Sequence, residues 1–144
     1  TASFAGMNRL TAAFQQGNPV MPNRLFSLGA LICLLAIPAG AFGAHALRDR
    51  LEPRALEIFE VAVRYQLISG FGLLFAAWAA DKWGGSWPRR AGTLLILGTV
   101  VFFGTLYALA LSGLRQLGAI TPVGGLCMMA GWLCLALSPR RSPP

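Results

Sequence analysis

Four stretches of the chain stay apolar for about 20 residues, the length an α-helix needs to cross roughly 30 Å of hydrocarbon. They cover residues 25–44, 61–80, 91–111 and 120–137. Continuous apolar runs lack the alternation of a membrane barrel strand, and a helix satisfies its own backbone in lipid, so helices are predicted throughout. With their flanking turns the spans read as 25–47, 55–81, 91–113 and 120–138. The predicted fold is all-α and polytopic: a four-transmembrane-helix bundle over 24–138, an N-terminal tail over 1–23 and a C-terminal tail over 139–144. In the first tail Phe4, Met7, Leu10 and Phe14 recur at helical spacing among Asn8, Arg9, Gln15 and Gln16. That pattern fits either a short helix lying at the membrane surface or a flexible tail. The polar run 15–18 breaks any apolar core of a signal peptide.

Composition agrees with the pattern. At 56% apolar and 12% charged, the chain is too apolar for ordinary soluble packing. The net charge of +7 does not point to nucleic acid, because the basic residues are scattered between apolar spans and form no stripe. They read as topology signals instead. With four spans, Arg9, Arg24, Lys82, Arg89, Arg90, Arg140 and Arg141 share one side, and Arg48, Arg50, Arg54 and Arg115 the other. Arg64 lies inside a span and is left out of this comparison. The excess places both termini in the cytoplasm. Cys33, Cys127 and Cys134 fall inside spans with no CxxC pair or Cys/His spacing, so no metal site and no cofactor is predicted.

Small residues mark where helices can approach closely. Ala36, Gly40 and Ala44 form a small-xxx-small stripe in the first span, and Gly124, Gly125 and Gly131 stand in the fourth, with Gly98 and Gly104 in the third. Pro53 suits the first helical position after Glu52. Beyond it, Glu57, Glu60 and Arg64 share one helix face. They read as an interfacial Glu60–Arg64 salt bridge with Arg64 snorkelling outward, or as a transported-ion or catalytic site. Helix direction alternates, so His45, Glu57, Glu60, Arg64, Tyr65, Tyr107 and Thr121 gather on the non-cytoplasmic side. This is either a polar packing cluster or a binding pocket. Trp78, Trp83 and Trp87 fit an interfacial belt, and Trp132, deeper, packing between helices.

The segments Gly40-Ala41-Phe42-Gly43-Ala44-His45, Arg64-Tyr65-Gln66, Leu106-Tyr107, Thr121-Pro122-Val123-Gly124-Gly125 and Gly131-Trp132, in this order, resemble domain-of-unknown-function family 423. Transmembrane protein 256 of eukaryotes looks related. The resemblance runs from about Leu25 to Leu137 and implies a small four-span protein of the bacterial inner (plasma) membrane. Ala46 stands where the family usually has glycine, and Ser69 where a second histidine is typical, which weakens any paired-histidine haem or metal site. The residues contain no HExxH, no phosphate-cradling glycine loop and no nucleophile–base pair. The expectation is therefore a non-enzymatic scaffold or accessory subunit of a larger membrane complex, with membrane lipids and a membrane protein as partners. The alternative is a small transporter or lipid-binding protein using the non-cytoplasmic polar cluster.

Overall fold

The computed structural model describes residues 20–138, so the surface helix read into 4–14 and the C-terminal tail lie outside it. Four helices follow one another: α1 (Val20–Phe42), prolonged by a π-helical turn (Gly43–Leu47), α2 (Pro53–Lys82), α3 (Trp87–Ser112) and α4 (Leu117–Ala136). All four are long and apolar enough to cross a membrane. The fold is the all-α, four-span architecture that the apolar runs predict.

Local chemistry sets the boundaries. α2 begins at Pro53 after Glu52, as its pre-set φ and missing N–H favour. α3 starts at Trp87 rather than 91, because Pro88 fits the first turn equally well. It ends at Gly113, whose φ of +72° is left-handed and whose N–H reaches the Leu109 carbonyl. That cap leaves only residues 114–116 before α4. The equally short link from α2 to α3 uses Gly84 and Gly85 at φ of +66° and +82°, a region that glycine enters without strain. At 1.5 Å per residue α2 is about 45 Å long, well beyond the hydrocarbon thickness. With Asp81 and Lys82 at one surface, its first two turns, bearing Arg54 and Glu57, stand clear of the other.

Each helix packs chiefly on its chain neighbours, α3 on α4 most extensively, and α2 also touches α4. Glycines make the crossings close. A Cβ on Gly29 of α1 would lie 2.8 Å from the Gly70 carbonyl oxygen of α2. One on Gly124 of α4 would lie 2.5 Å from the Phe102 backbone nitrogen of α3, and one on Gly98 would lie 2.7 Å from that of Met128. Gly131 meets Leu95 and the Ala91 carbonyl in the same way, whereas Gly125 leaves 3.4 Å to the Phe102 ring. The predicted stripe on α1 needs one correction. Ala36 is buried and Gly40 faces Val63, but Ala44 is exposed and Gly43 takes its place against Phe59. Residues four apart advance 400° around a helix, so each step drifts 40° and Ala44 has left the face that Ala36 occupies.

Two apolar clusters fill the bundle. Leu25, Leu73, Ala76, Ala77 and Leu95 form one toward the α2–α3 link. Leu47, Phe59 and Ala110 form the other toward the opposite end, with Tyr107 and Val63 against them. Between them, along α2 and α3, lie buried polar side chains.

Candidate functional site

The intervening layer is centred on Gln66. Its side chain is only 5% exposed. Nε2 donates to the Ile32 carbonyl of α1 at 3.1 Å, and Oε1 accepts from the Tyr107 hydroxyl of α3 at 2.7 Å. One amide thus ties three helices together. Tyr107 is held by aromatic neighbours, with its ring centroid 4.9 Å from Phe59 and 5.8 Å from Phe103. One turn along α2, Ser69 donates to the Tyr65 carbonyl at 2.8 Å and lies 3.9 Å from the Met128 sulfur of α4. Nearer the far end, the Thr105 and Thr121 hydroxyls pair at 2.9 Å between α3 and α4. The Thr99 hydroxyl is buried without a partner. Gln66, Ser69 and Thr121 therefore act as polar ties between helices, the usual use of such residues in membrane bundles.

The predicted cluster does not assemble as a pocket. Tyr107 and Thr121 turn inward, but to different partners. His45, in the π-helical turn, is exposed, as are Glu57, Glu60 and Arg64 on the outer face of α2. Tyr65 is 39% exposed and lays its ring 4.8 Å from that of Phe102. The expected Glu60–Arg64 salt bridge is also corrected: no ion pair forms among the described residues. Helical spacing brings the two onto one face, yet nothing packs over that face to hold two long side chains in a single geometry. Glu60→Gln and Arg64→Gln should accordingly have additive effects on thermal stability in detergent, within about 0.5 kcal/mol. A larger coupling in that double-mutant cycle would restore the pair.

Trp132 also needs adjustment. Its ring edge reaches Gly72 of α2 and its centroid stands 6.4 Å from Phe75, but it is 36% exposed and borders an open aromatic cleft with Trp78 and Trp83. The described residues contain no group of three His, Cys, Asp or Glu side chains able to hold a metal. Gln66 is absent from the cluster that the sequence predicts, although the sequence contains a signal for it. It stands two residues from Arg64 in an apolar span, about 200° around the helix, so an outward Arg64 turns Gln66 inward.

The family pattern described as "Protein of unknown function (DUF423)" matches residues 39–125. The chain belongs to the DUF423 family. A UPF0382 membrane protein of Staphylococcus haemolyticus is 45% identical over 111 residues, covering 77% of this chain and 90% of its own. The UPF0382 membrane protein YwdK of Bacillus subtilis is 38% identical over 112 residues, covering 77% and 91%. No solved structure matches. With relatives that are membrane proteins and four helices of spanning length, this DUF423 chain is a multi-pass membrane protein. The matched segment contains Gln66, Ser69, Thr105, Tyr107 and Thr121, so it includes these interhelical polar ties.

Proposed function

We propose that this protein is a non-enzymatic scaffold or accessory subunit of a larger membrane complex, seated in the bacterial inner (plasma) membrane with both termini in the cytoplasm. The observation that carries this reading is the use of Gln66 and Tyr107: the central polar groups bond to each other and to α1, which spends them on rigidity. The cavities at Trp87 and at Glu52 open at opposite ends of the bundle, and neither is lined by Gln66. Meanwhile α1 packs chiefly on α2 and leaves Leu34, Leu35 and Ile37 outward, an apolar surface suited to lipid or a partner helix. Purification from native membranes in a mild detergent should bring down companions in fixed stoichiometry. Recovery of the chain alone, at full yield, would count against the proposal.

The alternative of a transporter or a lipid-binding protein needs His45, Glu57, Glu60 and Arg64 around one cavity. They line neither end cavity, and α2 passes this region as an unbroken helix.

The orientation rests on the excess of Lys and Arg toward the α2–α3 link. In a background lacking the three native cysteines, Gly85→Cys should react with a membrane-impermeant maleimide only after the cytoplasmic face is opened. Glu52→Cys should react in intact cells. The opposite pattern would invert the topology.

A further inference from the structure

Arg89 and Arg90, in the first turn of α3, have no ion-pair partner, a state they share with the other basic side chains among the described residues. The chain has five acidic side chains, Asp49, Glu52, Glu57, Glu60 and Asp81, all among the described residues, and none forms an ion pair there. Asp81 alone lies at the α2–α3 end, which also carries Arg24, Lys82, Arg89 and Arg90. Arg89 and Arg90 line a cavity of about 590 Å³ together with Ser86, Trp87, Leu94 and Cys134. That volume lies within the range of small-molecule sites, roughly 300–1,000 Å³. The Arg90 guanidinium stands 6.0 Å from the centre of the Trp87 ring, a cation–π distance, and the Ser86 hydroxyl makes no cap bond.

The lining is ordered along the helix axes. Ser86, Trp87 and the guanidiniums occupy the end of α3, and Thr93 and Leu94 of α3 with Cys134 of α4 form a less polar wall one to two turns further in. A freely soluble anion would use only the first part. A glycerophospholipid would use both, with its phosphate against the arginine forks and an acyl chain along the α3–α4 groove. We propose that this cavity binds an anionic phospholipid of the adjoining leaflet, recognised through its phosphate by Arg89 and Arg90 and through an acyl chain by Leu94 and Cys134. The site is separate from the polar layer at Gln66 and from the outward charges of α2.

Native mass spectrometry of the full chain, released from nanodiscs of equal phosphatidylglycerol and phosphatidylcholine, tests this directly. The expected result is a retained phosphatidylglycerol in preference to phosphatidylcholine, weakened about fivefold for each charge removed in Arg89→Gln and Arg90→Gln. The control Arg54→Gln/Arg115→Gln, at the opposite end, should keep the preference. Cys134→Phe, which fills the less polar wall, should reduce retention with both arginines intact, and excess inorganic phosphate should not displace the lipid. Equal retention of the two lipids by the wild type would overturn the proposal, as would an undiminished preference in Arg89→Gln/Arg90→Gln. Displacement by inorganic phosphate would overturn the lipid assignment in favour of a simple anion site, and unchanged retention in Cys134→Phe would overturn the acyl-chain contact that the proposal assigns to this wall. Circular dichroism of each variant confirms the fold, and Arg89→Lys/Arg90→Lys, which keeps the charge, should recover part of the loss.

Discussion

Gly124→Ala should destabilise the bundle by about 3 kcal/mol, at the upper end of the usual cost of overpacking. The added methyl would sit 2.5 Å from the Phe102 nitrogen and 2.9 Å from its Cα. Those are backbone atoms in the middle of α3, so no rotamer change relieves the clash and the helices must separate. Separation also strains the neighbouring contacts of Gly98 with Met128 and of Gly131 with Leu95, which lie along the same crossing. Two other glycines supply the comparison. Gly125→Ala meets only the edge of the Phe102 ring at 3.4 Å, and Gly104→Ala meets nothing within 4 Å. The second should be neutral or slightly stabilising, since alanine is the better helix former. Unfolding in mixed detergent, followed by circular dichroism, ranks the three. Equal behaviour of Gly124→Ala and Gly104→Ala would show that α3 and α4 are not crossed where the structure places them.

The second large effect belongs to Gln66. Gln66→Met keeps much of the side-chain volume but strips the Tyr107 hydroxyl of its acceptor and the Ile32 carbonyl of its extra donor. Tyr107→Phe removes the same interhelical bond from the other side. Each single change should cost about 1–2 kcal/mol, between the average for interhelical hydrogen bonds in membranes and the cost of a stranded buried group. The double variant should cost clearly less than the sum, because it leaves neither the hydroxyl nor the amide oxygen without its partner. Additivity in this cycle would mean that Gln66 and Tyr107 are not bonded in the membrane. The singles bear on the functional proposal as well. A structural tie predicts that complex assembly falls in step with stability, whereas a ligand-binding Gln66 would lose function while the bundle stays intact.

Most of the fold follows from features that a short stretch of sequence contains. Hydrophobic length determines that there are four spans, since each helix must satisfy its backbone over the same thickness of lipid. Pro53 after Glu52 marks the start of α2, and the relation of Arg64 to Gln66 divides its outer from its inner face. The tertiary structure decides what depends on how two axes approach. It selects Gly29, Gly70, Gly98 and Gly124 as crossing points from a chain with many glycines, and replaces Ala44 with Gly43 as the drift of the helix face requires. It leaves Glu60 and Arg64 unpaired on an open face although their spacing permits a bond. Gln66, Ile32 and Tyr107 lie far apart in sequence, and only the rotation and depth of α1, α2 and α3 bring their polar atoms within hydrogen-bonding distance. Periodicity states which way a side chain points from its own helix. What it meets there depends on the neighbouring helix's position, which local sequence does not encode.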